Sequence, residues 1–84
     1  MMIKTLDTLA VGESGTIVKV HGEGRVRRRL FDMGLTPGAE VYFRKKAPFG
    51  DPIEITLRGY ELSLRKDEAV NVEIELAEVK KNGR

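Results

Sequence analysis

Apolar and polar residues alternate in three consecutive runs: Ile53, Ile55 and Leu57; then Tyr60, Leu62 and Leu64; then Val70, Val72, Ile74 and Leu76. Period two marks a strand with one buried face, because successive side chains of an extended backbone point to opposite sides. Two further segments read as strands. Thr16–Val20 is short and β-branched, and Glu40–Lys46 begins with Val41, Tyr42 and Phe43, though alternation does not resolve its inner face. The connections are brief: Arg58-Gly59 suits a tight hairpin and Lys66-Asp67-Glu68-Ala69 a single helical turn. Leu6, Leu9 and Val11 form an apolar entry ahead of a Gly12–Gly15 turn. About five short strands with short turns predict an all-β barrel or sandwich.

One segment breaks the period. Between Arg25 and Met33, Val26, Leu30 and Met33 recur at i, i+4 and i+7 with no glycine or proline between them, which predicts a helix inserted after the first of the five strands. Gly34 suits the left-handed C′ position, and Leu35 at C″ then packs on Leu30 at C3, as in a Schellman cap. Thr36-Pro37-Gly38-Ala39 follows with proline and glycine at the two centres of a type II turn. At about 100° per residue, Phe31 lies well round the cylinder from Leu30, with Arg27 and Arg28 beside it one turn earlier. Two readings follow: the outer face displays Arg27, Arg28 and Phe31 to a partner, or Phe31 closes one end of the barrel above solvated arginines.

Composition narrows the class. The 84 residues suit one compact core, and 40% hydrophobic with 33% charged residues reads as globular. A single domain over residues 1–79 and a polar, frayed tail over 80–84 are expected. There is no cysteine, the longest apolar run is far below the roughly 18 residues of a membrane span, and the polar start MMIKTLD is not expected to act as a signal peptide. A cytoplasmic protein is the expectation, peripheral at the inner membrane only through a partner and without direct membrane insertion. The net charge of +2 and pI near 9.1 permit weak attraction to anionic surfaces without requiring nucleic acid.

The chemistry-bearing residues are sparse. His21 is the sole histidine and sits in a glycine-rich turn, where it is expected to be solvated; one imidazole does not make a transition-metal site. Glu73 and Glu75 share a strand face that reads as solvent-facing, and hard ions need several converging oxygens. No nucleophile, base and orienting group converge, so no catalytic residue and no cofactor are assigned. His21-Gly22-Glu23-Gly24 matches neither the dinucleotide fingerprint nor the P-loop and reads as a plain turn.

An ordered set of short motifs carries a resemblance. Leu6, Leu9, Gly12 and Gly15 precede Arg29-Leu30, Met33-Gly34-Leu35, Pro37-Gly38, Gly50-Asp51-Pro52, Leu64-Arg65 and Glu68-Ala69. Over about Leu6 to Leu76 this pattern resembles the FeoA family, small proteins that accompany the bacterial ferrous iron transporter. The resemblance implies an SH3-like β-barrel with one inserted helix and a non-enzymatic accessory role in ferrous iron transport, docked on the cytosolic side of the GTPase-linked transporter FeoB. The same barrel is similar to the C-terminal domain of iron-dependent repressors, a role that here would need another chain.

The expected partner-binding residues are Arg27, Arg28 and Phe31, with Phe49 as a lesser contact; Leu30, Met33, Gly34, Leu35, Pro37 and Gly38 are read as structural. Phe49 lies in Ala47-Pro48-Phe49-Gly50-Asp51-Pro52, a loop stiffened by two prolines, and either folds back over the barrel or meets a partner. The competing function is nucleic-acid binding through Arg25, Arg27, Arg28, Arg29, Arg44, Lys45 and Lys46. It lacks an aromatic stacking platform, and no nucleic acid is expected.

Overall fold

A computed structural model describes residues 2–77. The tail over 80–84 and the end of the expected domain at 79 lie outside the described residues. Six strands form one antiparallel sheet: β1 (Ile3–Thr5), β2 (Ser14–Val20), β3 (Glu40–Lys46), β4 (Ile53–Leu57), β5 (Tyr60–Leu64) and β6 (Val72–Leu76). A 3-10 turn over Leu6–Thr8 follows β1, helix α1 (Gly24–Asp32) joins β2 to β3, and the single turn α2 (Lys66–Ala69) joins β5 to β6. The sheet order is β1-β6-β2-β3-β4-β5, and the sheet folds around one core as a small SH3-like barrel.

The alternating runs land as their period demands. In β4, Ile53, Ile55 and Leu57 are buried while Glu54 and Thr56 lie between them half-exposed. In β2 the parity resets: Ile17 and Val20 are both buried although three apart, because a bulge between Ile17 and Lys19 inserts an extra residue against β6. A second bulge, between Phe43 and Lys45, turns the basic end of β3 outward beyond buried Val41 and Phe43. Arg58 and Gly59 both take positive φ, +51° and +89°, as a type I′ hairpin turn needs.

Four expectations from the alternation need correction. Among the described residues the sheet has six strands where about five are expected, because Ile3–Thr5 pairs with Glu73–Glu75 of β6; the helix therefore follows the second strand. Val70 is exposed, since α2 runs on to use it as its C-cap and β6 starts only at Val72. Tyr60 stands at the hairpin end of β5 half in solvent, its hydroxyl donating to Met33 O at 2.7 Å. Val26 is 40% exposed, so α1 seats itself through its C-terminal half instead.

That seat is the cap. Leu35 N–H donates to Leu30 O at 3.0 Å and Gly34 N–H to Phe31 O at 2.9 Å, the paired bonds of a Schellman motif, with Gly34 at φ +97°. Leu30 and Leu35 are both fully buried in the core. Ala39 N–H then donates to Thr36 O at 3.0 Å, closing the turn centred on Pro37 and Gly38. Helix and turn are thereby fixed against β2, where Ile17 exchanges bonds with Gly38 and Ala39 at 2.8 Å each.

Candidate functional site

Because α1 buries only its C-terminal half, its N-terminal turns stand clear of the sheet. Gly24, Arg27, Arg28, Phe31 and Asp32 line a shallow hollow of about 380 Å³ on that outer face. Three of the four expected partner-binding residues therefore converge. Phe31 serves both readings of the sequence: it packs on the edge of the core and is half-buried, yet its remaining surface floors the hollow.

The arginines differ in how they are held. Arg27 stacks its guanidinium 4.6 Å from the centre of the Phe31 ring and donates from Nε to Val20 O at 3.2 Å. Stacking and hydrogen bond together preset the guanidinium, so little side-chain freedom remains to be lost on binding. Arg28 is exposed and forms no ion pair among the described residues. A preset cation on an aromatic floor, with an unpaired cation at the rim, suits an acidic segment carrying one apolar side chain.

Other basic residues are already engaged. Arg29 reaches Glu68 Oε2 at 3.2 Å, tying α1 to α2, while Glu68 Oε1 accepts the Arg65 N–H at 3.0 Å. Arg44 lies 3.5 Å from Glu54 and 3.1 Å from Glu61, and Lys45 4.0 Å from Glu54. The seven cations proposed for nucleic acid thus do not form one free patch.

Phe49 does not line the hollow. It is 98% exposed at the tip of the β3–β4 loop, so of the two readings of the sequence the one that folds it back over the barrel does not hold. Pro48 and Phe49 occupy the centre of a turn closed by Gly50 N–H to Ala47 O at 2.7 Å, which carries the ring outward. His21 is likewise not simply solvated. Its Nε2 pairs with Glu73 Oε2, and its backbone N–H donates to Asn71 O, joining the end of β2 to β6. The pair spans 52 positions, and no local pattern reveals it. Among the described residues no three His, Asp or Glu side chains are grouped to hold a metal ion.

The FeoA domain family matches residues 4–76. A fusion of Fe(2+) transport protein A with Fe(2+) transporter FeoB from Porphyromonas gingivalis is 35% identical over 71 residues, which cover 84% of this chain and 8% of the fusion. The chain is thus a small part of that relative's length. The solution structure of a FeoA-like protein from Clostridium acetobutylicum is similar over all of this chain and 99% of its own, at 36% identity and a TM-score of 0.86. The zinc-complexed FeoA of Stenotrophomonas maltophilia, an SH3 domain protein, covers 86% of this chain and 89% of its own at 29% identity and a TM-score of 0.74. With a barrel, a capped inserted helix and a family match running from β1 to the end of β6, the chain belongs to the FeoA domain family.

Proposed function

We propose that this protein is a non-enzymatic accessory factor of ferrous iron uptake that docks on the cytosolic side of a FeoB-type transporter through the outer face of α1. The Porphyromonas gingivalis fusion carries the reading, because it joins a FeoA to a FeoB in one polypeptide. Fusion holds two domains together at roughly millimolar effective concentration whatever their affinity. To act on the transporter a FeoA domain needs a contact surface, and the hollow of Arg27, Arg28 and Phe31, with its preset guanidinium, is the candidate.

Docking alone does not regulate. To bias the nucleotide cycle of the transporter's GTPase region, the hollow must bind one conformational state more tightly than the other. A carboxylate meeting Arg27 and Arg28 in one state and withdrawn in the other would supply that difference.

The tagged protein, incubated with detergent-solubilised membranes of its own organism, is expected to recover the FeoB-type transporter, and Arg28→Glu to weaken the recovery. Recovery of nucleic-acid or repressor complexes without any transporter would overturn the proposal. The pairing of Arg29, Arg44 and Lys45 with Glu68, Glu54 and Glu61 favours the transporter over the nucleic-acid reading.

A further inference from the structure

Phe49 is the most exposed large apolar side chain of the described residues, and the partner hollow makes no use of it. Its loop is built to hold it out. Ala47 N–H donates to Pro52 O at 2.9 Å across the loop base, and Asp51 Oδ1 accepts the Lys66 N–H at 2.8 Å, lashing the loop to the start of α2. With prolines at 48 and 52, the ring is presented by a stiff support and loses no packing when something covers it.

The lashing also gathers charge. Lys45 and Lys46 lead into the loop, and Asp51 draws Arg65 and Lys66 alongside it. Lys46, Arg65 and Lys66 have no carboxylate within ion-pair distance among the described residues. Arg44 pairs with Glu54 and Glu61, Lys45 with Glu54 alone, and the Asp51 carboxylate accepts the Lys66 amide. Asp67 and Glu68 are the other acids beside this rim, Glu68 being paired with Arg29. Three cations, Lys46, Arg65 and Lys66, thus flank the loop without an ion pair among the described residues, against Asp51 and Asp67.

We propose that the loop from Ala47 to Pro52 is a membrane-surface contact, in which Phe49 enters the headgroup–acyl boundary of a bilayer and Lys45, Lys46, Arg65 and Lys66 attract anionic lipid. A protein hot spot is ringed by further apolar contacts that exclude water, whereas this ring stands alone on a convex tip among prolines and cations. A fluid headgroup layer closes round such a protrusion without needing a complementary surface. Interfacial aromatic residues combined with basic ones are the usual composition of peripheral attachment. One ring and a few cations give weak, reversible binding, which suits a second tether beside a protein contact. The inference does not depend on the transporter reading, since it is tested without any protein partner.

The chain has no tryptophan, so Phe49→Trp is a single fluorescent reporter at the site. Mixed with vesicles containing phosphatidylglycerol, its emission should shift to the blue and be quenched by bromine on the acyl chains. Pure phosphatidylcholine vesicles or high salt should largely abolish both effects. In co-sedimentation with the anionic vesicles, Phe49→Ala and the double change Lys45→Glu/Lys46→Glu should each lower partitioning of the full chain roughly tenfold. Because Phe49 is almost wholly exposed, Phe49→Ala should unfold like the parent. An unshifted reporter, or equal partitioning of parent and Phe49→Ala, overturns the proposal. If vesicles are not bound but Phe49→Ala fails to capture the transporter in detergent, the ring belongs to a protein interface and the lipid assignment is wrong.

Discussion

Replacing Leu30 by alanine tests whether α1 is seated on the barrel through its C-terminal half. The Leu30 side chain is fully buried, so the change removes three carbons from the core at about 0.8 kcal/mol each, roughly 2.4 kcal/mol of lost transfer energy. Buried Leu35 and the rest of the core cannot fully collapse into the space, and the residual cavity brings the expected loss to about 3–4 kcal/mol. The Schellman bonds do not offset this, since they run between backbone atoms that alanine retains. For a chain of this length the whole folding free energy is about 4–12 kcal/mol, so the melting temperature should fall by roughly 15–25 °C. Urea and thermal unfolding followed by circular dichroism measure both quantities. Val26→Ala, on the same helix but 40% exposed, should change stability by less than about 0.5 kcal/mol. Equal losses at the two positions, or a Leu30→Ala loss below about 1 kcal/mol, would refute the seating of the helix described above.

Three further expectations concern the sheet, its titration and its chemistry. Gly15→Ala would drive a methyl group into the Glu75 carbonyl oxygen and Ile74 Cγ2 where β2 crosses β6, and should cost about 2–3 kcal/mol in the same unfolding assays. Glu13 has its pKa lowered chiefly by the Ala10 N–H donating to Oε1 at 2.8 Å; desolvation opposes this, and Lys4 at 3.6 Å adds a lesser lowering. A depressed folded pKa means that this stabilisation is present above the ordinary carboxylate range and is lost as pH falls through the lowered value. The pair is partly solvated, so the loss should be only a few tenths of a kcal/mol, and Glu13→Gln should flatten stability in that window. Anaerobic calorimetric titration with ferrous iron should find no stoichiometric site, because His21 and Glu73 supply too few ligands. A micromolar site lost in His21→Ala would contradict that.

Where one element's own period decided its environment, the residues were legible. β3, β4 and β5 begin and end where the pattern placed them, and α1 ends in the cap that Leu30, Gly34 and Leu35 imply. What escaped was decided between elements. Ile3–Thr5 has no alternation of its own and becomes a strand only because β6 offers it an edge. Val26 obeys the helical period, yet only the C-terminal half of α1 is seated on the core, leaving the valine outside. The same geometry explains the candidate site. The arginines and Phe31 were visible as an outer face, but the Arg27 bond to Val20 O and the half-burial of the ring depend on where the helix leaves β2. Phe49 was ambiguous in sequence because prolines stiffen a loop without saying which way it points.

The central claim is that the α1 hollow holds a FeoB-type transporter, and titration of the purified transporter in detergent with the parent, Phe31→Ala and Arg27→Glu/Arg28→Glu proteins tests it most directly. Because Phe31 also packs on the core, each variant is first shown to be folded at the assay temperature. Folded Phe31→Ala should then lose about 2 kcal/mol of binding, roughly thirtyfold in Kd, as removal of an interface anchor does. The arginine reversal should mainly slow association and reduce its dependence on salt. Unchanged Kd values and association rates for both folded variants would contradict the claim and remove this face of α1 as the docking surface.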